Sequence, residues 1–366
     1  RQLTLAFGKI FEVCPPDRVR ASLDAYVACE NEMEELWYDP RLLDQLSDVA
    51  VAAFGSHLAC IDRQCFIGDL VPKHGPGATA DRVKANAKYT VRYWTERLER
   101  VFPYQWYGSA KAGACSPPLV EPGAETPVRV IPVPKTASKA RIIAIEPAAV
   151  QYCQQAVLGA FVSQFSGQAP FVDLTRQERN QELARVGSVD GGLSTIDLSE
   201  ASDRVGLDVV RAVFRRFPSL LEALEASRST SASVPGHGTI PVVKFASMGS
   251  ATCFPVESIV FATAALLGCL RAANVPRRDW GRAIARLQSK VQVFGDDIIV
   301  PADMTHSVLD VIARLGGRPN PRKSFWTGRF RESCGMEYYR GVDVTVRRLR
   351  RRLPSSRRDA EEISAR

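Results

Sequence analysis

The sequence predicts an α+β fold in which an antiparallel sheet presents acidic residues at its strand ends. Three observations predict it. Phe294-Gly295-Asp296-Asp297 lies between two apolar runs, Val291-Gln292-Val293 and Ile298-Ile299-Val300. That pattern reads as strand, tight turn, strand, with Gly295 supplying the permissive backbone. Upstream, Thr195-Ile196-Asp197 ends a second short strand after the turn-forming Gly191-Gly192-Leu193-Ser194. Between the two, the apolar stretch from Ile259 to Leu270 reads as a buried helix.

Taken in order, residues 1 to about 70 read as helical, because Leu42-Leu43, Leu46, Val49-Ala50-Val51 and Phe54 recur at near-helical spacing. Pro72 to Thr79 is a Gly/Pro loop. Asp81 is then expected to cap a helix with Val83, Ala87, Val91, Trp94 and Leu98 as its apolar stripe. Ser109 to Pro127, rich in Gly, Ala and Pro, is a loop. Val128–Ile131 and Arg141–Ile145 form two strands about a turn at Lys139, and Ala148 to Phe165 forms a helix. After Asp197 the Ser/Ala-rich run is expected to open a helix. A final helix from His306 to Leu315 stops at Gly316-Gly317 before a last hairpin.

Two adjacent carboxylates at a hairpin tip repel each other unless a positive group neutralises them, and a divalent cation does so best. Gly-Asp-Asp alone is weak evidence; a second acidic motif, Asp197-Leu198-Ser199-Glu200-Ala201-Ser202-Asp203, strengthens it. Asp197 beside the hairpin acids completes a site for two Mg²⁺ ions, for which Mn²⁺ can substitute. Such a pair clamps the attacking and leaving oxygens of a phosphoryl displacement. Asp203 has an alternative reading as a helix cap. A third segment, Lys244 to Ser258, carries Ser247-Met248-Gly249-Ser250, small residues that let backbone approach a ligand closely.

The order Asp-Leu-Ser-x-Ala-Ser-Asp, Ser-Met-Gly, Phe-Gly-Asp-Asp resembles that of RNA-directed RNA polymerases, in particular the replicase catalytic (beta) subunit of the leviviruses, the single-stranded RNA bacteriophages. Phe330 to Gly335, Tyr338-Tyr339 and Gly341 to Thr345 resemble that family's segment after the catalytic hairpin. Val133 to Pro147 resembles its basic fingers motif, and His74 to Thr79 a glycine-rich element upstream. The resemblance implies a right-hand polymerase fold with an antiparallel palm sheet. Residues 1–190 would form the fingers region with its N-terminal helices and basic nucleotide-entry motif. Residues 191–345 would form the catalytic palm, and residues 346–366 a basic tail that starts a truncated thumb. The thumb is thus expected to be mostly absent, and the chain, which opens on Arg1, is expected to be a partial reading frame.

The resemblance further implies roles. Asp197 and Asp296 would bind the Mg²⁺ ions, with Asp297 helping to hold the site's charge. Asp203, Ser247, Gly249 and Ser250 would lie by the sugar of the incoming nucleotide, and Lys135, Lys139 and Arg141 by its triphosphate. Lys323 is either a general acid toward pyrophosphate or a surface lysine. Ser250 departs from the family, which often has asparagine there. Implied partners are RNA template and product, ribonucleoside triphosphates, host elongation factors Tu and Ts and a small-subunit ribosomal protein, in the cytoplasm of the bacterial host. Two other readings compete. A reverse transcriptase shares the palm but favours Tyr-x-Asp-Asp, and a truncated, non-catalytic RNA-binding remnant would keep only the basic surface.

Composition agrees with a polyanionic partner: 366 residues carry a net charge of +8 and 45% hydrophobic residues. Arg347, Arg348, Arg350, Arg351 and Arg352 crowd one segment and are expected to bind RNA. Nine scattered cysteines without Cys-x-x-Cys point to reduced thiols, and His57, Cys60 and Cys65 make at most a partial zinc set. The opening residues do not read as a secretory signal, and the run Ile259–Leu270 is shorter than the ~20 residues that span a bilayer.

Overall fold

The computed structural model describes residues 14–108, 116–136, 139–167 and 169–347, with the side chains of residues 135 and 136 excepted. Helix α1 (Pro16–Glu34) and helix α2 (Pro40–Ile67) each begin with proline in the first turn, where its missing N–H costs nothing. The Asp39 carboxylate accepts from the Arg41 N–H at 2.9 Å to cap α2, and Gly68 ends it with φ of 74°. The apolar spacing read from the sequence becomes the buried stripe Leu42, Leu46, Val49, Ala50, Phe54, Leu58 and Ile61.

The helix expected after Asp81 does not form. Arg82 and Ala85 adopt φ of 57° and 48°, which no right-handed helix accommodates. A single 3₁₀ turn, Ala85–Tyr89, replaces its start. Trp94–Thr95 pairs in parallel with Leu119–Val120, and a short helix follows at Glu96–Val101. Asp81 caps a different helix: its carboxylate accepts at 2.9 Å from the N–H of Ala148, the first residue of helix α3 (Ala148–Gln164).

Strands β1 (Val128–Thr136) and β2 (Lys139–Ile145) pair antiparallel and run longer than expected at the turn end. After helix α4 (Glu178–Asp190) comes strand β3 (Leu193–Ile196), which carries Asp197 at its end. The run beyond it does not open an α-helix at once. It makes a 3₁₀ turn, Ala201–Arg204, before helix α5 (Leu207–Phe214) and helix α6 (Pro218–Ala226). Strands β4 (Ser231–Val234) and β5 (Gly238–Pro241) extend the first sheet to the order β2-β1-β4-β5.

Helix α7 (Cys253–Ala272) is buried at every position from Pro255 to Leu270. Apolar on all sides, it is a core helix. It is the one described helix long and apolar enough to cross a membrane, and 94% of that window is buried inside the protein. Helix α8 (Trp280–Leu287) leads to strands β6 (Gln292–Phe294) and β7 (Asp297–Pro301), then helix α9 (Thr305–Arg314), stopped by Gly316 at φ of 88°. Strands β8 (Phe330–Ser333), β9 (Met336–Tyr339) and β10 (Val342–Asp343) form a final antiparallel sheet.

The second sheet has the order β3-β7-β6, all antiparallel, with Ile298 opposite Ile196 and Asp297 opposite Phe294. Its two faces are both covered, as the period-2 alternation requires. Ile196, Val293, Ile298 and Val300 face the main core with α2, α3 and α5 to α9, whereas Leu193 and Ile299 pack with Ala184 of α4 and Tyr338 of β9. Eight cysteines fall among the described residues, all as free thiols.

Helices α7 and α9 approach closely at Gly268, where an added Cβ would come within 2.5 Å of the Val308 Cα. Backbone, not a flexible side chain, blocks that space. Gly268→Ala is therefore expected to destabilise the protein by about 1–3 kcal/mol, read from urea unfolding midpoints. An unchanged midpoint would show that the two helices separate freely.

Candidate active site

Asp197 follows the last residue of β3, and Asp296 occupies the turn between β6 and β7, so pairing of β3 with β7 brings both acids to one end of the sheet. The turn is tight: Gly295 takes φ of 61° and donates its N–H to Ser258 Oγ of α7 at 3.0 Å. A Cβ at Gly295 would meet the Phe254 ring at 2.8 Å, so glycine is required twice over.

Asp197 is held from below. Its Oδ1 accepts from Lys323 Nζ at 2.9 Å and its Oδ2 from Asn320 Nδ2 at 2.9 Å. The loop that carries both partners is fixed to β3 by reciprocal backbone bonds between Thr195 and Phe325, at 3.0 and 2.7 Å. Burial alone would lower the Lys323 pKa; the hydrogen bond and charge of Asp197 outweigh it and hold the ammonium above the ordinary lysine value.

Asp296 is exposed at the hairpin tip yet surrounded by protein. That desolvation, with the like charges of Asp297 and Asp197, pushes its carboxyl up to about 6. Asp297 turns away. Its Oδ1 accepts from the Cys334 N–H at 3.1 Å and Ser333 Oγ at 3.2 Å, latching the hairpin to the β8–β9 turn. Burial raises its pKa as well. Glu332 beside it is pushed up to about 7 by burial and by Asp297.

An open cleft lies over Asp197 and Asp296. Of the residues singled out in the sequence, Lys139, Arg141, Asp197, Asp203, Asp296 and Lys323 line it. The described part of the cleft is acidic at its floor and basic at the β2 rim, where Lys139 pairs with Glu200 at 3.5 Å. The side chain of Lys135 lies outside the described residues, although its backbone is in β1.

Four expected residues do not line the cleft. Asp297 is one. Ser247 and Ser250 are buried and line a separate small cavity with Glu146 and Arg228. Ser247 shares a hydrogen bond with the Tyr26 hydroxyl at 2.9 Å, and Ser250 with that of Thr252 at 3.1 Å. Met248, between them, faces the cleft instead. Gly249 is needed for packing: at φ of 126°, its Cβ would fall 2.0 Å from the Ala144 carbonyl of β2. Asp203 is no helix cap, since its carboxylate binds Lys244 at 2.8 Å. Arg347 is exposed beyond β10 and is not among the cleft residues, while Arg348, Arg350, Arg351 and Arg352 lie outside the described residues.

Sequence reasoning missed Glu257, Asn320 and Tyr26, all of which line the cleft. Glu257 is almost fully buried on α7, and that burial, with the like charges of Asp296 and Asp203, raises its pKa well above the usual glutamate value. A glutamate inside an otherwise apolar helix was the available signal. The partial zinc set fails: no group of three or more His, Cys, Asp or Glu stands close enough to hold a metal among the described residues.

The sequence profile described as RNA replicase, beta-chain, matches residues 115–357. The chain belongs to that family. Among curated relatives, the RNA-directed RNA polymerase beta chain of Escherichia phage MS2 is 38% identical over 59% of this chain. The corresponding beta subunits of Qbeta virus (strain MX1) and Enterobacteria phage SP are 36% and 35% identical over 62% and 61% of it. In each case the match takes in 36% of the relative's length. A solved structure described as an RdRp complex superposes with a TM-score of 0.48 at 12% identity, over 81% of this chain and 28% of that one.

A carboxyl pKa raised by folding means that the folded protein keeps a proton the unfolded chain has released. Stability on this account is complete below the ordinary Asp value of 3.8 and falls as pH climbs to about 6. Asp296→Asn removes that penalty. In chelator, the urea midpoint of the variant is expected to exceed that of wild type above pH 6, and the difference should shrink toward zero near pH 4. A difference independent of pH would show that Asp296 is not crowded.

Proposed function

We propose that this chain is the catalytic chain of an RNA-directed RNA polymerase that copies a single-stranded RNA phage genome from ribonucleoside triphosphates. The observation that carries the reading is the convergence of Asp197 and Asp296 from two strand ends beneath a cleft with a basic rim, in a chain of the replicase beta-chain family. The chain spans 36% of the length of the curated relatives it matches, so their activity is carried over here as a proposal. On this reading the β3-β7-β6 sheet is the palm and residues 1–190 supply the fingers.

Mg²⁺ fits the donors present. It is commonly held by one or two carboxylates, with water and substrate phosphates completing an octahedron. Asp197 and Asp296 offer two hard oxygen donors, and Asp296, its pKa raised by burial and then by the like charges of Asp297 and Asp197, is a carboxylate that a cation would relieve. When bound, a pair of such ions would lower the pKa of an RNA 3′-hydroxyl and neutralise charge on the reacting phosphate.

The chain's own residues do the rest by position and charge. Asp197 and Asp296 would hold the ions, Asp297 fixing the hairpin that carries Asp296. Lys139 and Arg141 would bind the triphosphate, Arg as a fork and Lys as a point charge. Lys323 would keep a proton at Nζ for the departing pyrophosphate. Asp203 would accept from the ribose 2′-hydroxyl, which marks RNA precursors. Host elongation factors Tu and Ts, a small-subunit ribosomal protein and a site of action in the bacterial cytoplasm belong to the same proposal by family resemblance.

RNA-templated incorporation of labelled ribonucleotide with Mg²⁺ tests it. Asp296→Asn should reduce incorporation by about 100-fold or more, with the circular dichroism spectrum unchanged. Lys139→Ala and Arg141→Ala should raise the nucleotide KM more than they lower kcat. Near-wild-type incorporation by Asp296→Asn would refute the assignment.

A further inference from the structure

A cluster of buried charged side chains lies behind the cleft. Lys244 has no exposed side-chain surface, and its Nζ stands 2.8 Å from Asp203 Oδ1 and 2.8 Å from Glu30 Oε1. The same ammonium sits 3.8 Å above the centroid of the Tyr26 ring. Glu30 is sealed as well, and its Oε2 accepts from the backbone N–H of Val243 at 3.0 Å. Tyr26 is fixed in turn through Ser247. Burial would lower the Lys244 pKa, but Asp203, Tyr26 and Glu30 outweigh it and keep the ammonium charged.

Such a triad is costly to bury and is poor evidence for stability. Its members differ in exposure. Glu30 and Lys244 are closed off, whereas the Asp203 side chain is 22% exposed and lines the cleft. Asp203 is the member of the cluster that meets solvent. Asp203 Oδ1 is committed to Lys244; among the described residues no donor bonds Oδ2. Ser250 cannot serve Asp203 in the same way, because its hydroxyl is engaged with Thr252 in the separate cavity.

We propose that Lys244, held by Glu30 and Tyr26 of α1, is a positioning residue that fixes the Asp203 carboxylate as the acceptor of the ribose 2′-hydroxyl. The inference rests on the polymerase reading and deepens it. Sugar selection then depends on a strut running from α1 to the start of the small-residue loop. The competing account is a buried ion triad that only closes α1 onto the core.

The test is the ratio of ribonucleotide to 2′-deoxyribonucleotide incorporation by the full chain on an RNA template. Lys244→Met keeps the stem and removes the charge. The ratio is expected to fall about tenfold or more, since a hydrogen bond to a charged group is lost from its set position. In an Asp203→Ala background, Lys244→Met should lower the ratio no further, because both residues act through one carboxylate. Glu30→Gln, a milder change, should lower the ratio by a smaller factor, and it keeps the test open if Lys244→Met does not fold. A purely structural triad predicts equal losses for both sugars. An unchanged ratio in Glu30→Gln, or in a folded Lys244→Met, overturns the proposal. Wild-type chain that incorporates neither sugar overturns the polymerase reading itself, an outcome distinct from an active enzyme indifferent to Lys244.

Discussion

The pairing of β3 with β7 is the constraint on which the rest of the structure depends. Its register sets Ile298 against Ile196, and a slip of one residue would turn every inward side chain of either strand outward. Both faces of the sheet are buried, so the register is doubly specified. With it fixed, Asp197 and Asp296 must emerge at the same end. Other features protect that outcome. The Gly295 turn is tied to Ser258, Asp297 is latched to the β8–β9 turn, and the loop carrying Asn320 and Lys323 is bonded along the free side of β3.

Bringing acids together stores electrostatic energy, and the surroundings are arranged to contain it. Lys323 and Asn320 occupy both oxygens of Asp197. Glu257 is buried on α7, and burial, with Asp296 and Asp203, raises its pKa well above the usual glutamate value. Asp203 is compensated by Lys244 instead of by the rim cations. The site that results has unspent negative charge at Asp296 and cations at Lys139 and Arg141 across the cleft. A metal-bound triphosphate has the complementary distribution, which is why the nucleotidyl-transfer reading accounts for both sides of the cleft at once.

Much of this was legible in the sequence, where the signal was local. The Gly-Asp-Asp hairpin, the strand ending at Asp197, the stripe of α2, the core helix α7 and the end of α9 at Gly316 follow from periodicity and turn chemistry. The failures share a cause. The helix expected after Asp81 had a good apolar stripe, but Arg82 and Ala85 take positive φ, and Asp81 accepts from the N–H of Ala148, far along the chain. The resemblance places Ser247 and Ser250 by the sugar, but a motif does not say which way the hydroxyls of a loop face. The ion triad was invisible because its members, Glu30, Asp203 and Lys244, are brought together only by the fold. Glu257 was legible in principle as an acid in an apolar helix.

The central claim is that acids on two different strand ends form one divalent-cation site completed by a triphosphate. Mn²⁺ electron paramagnetic resonance, titrating the full chain with and without a non-hydrolysable ribonucleoside triphosphate, tests it without requiring turnover. The account predicts nucleotide-dependent Mn²⁺ binding that Asp197→Asn and Asp296→Asn each abolish, the double variant being no worse than either. Binding that survives both substitutions, or that the two variants weaken independently, would contradict it.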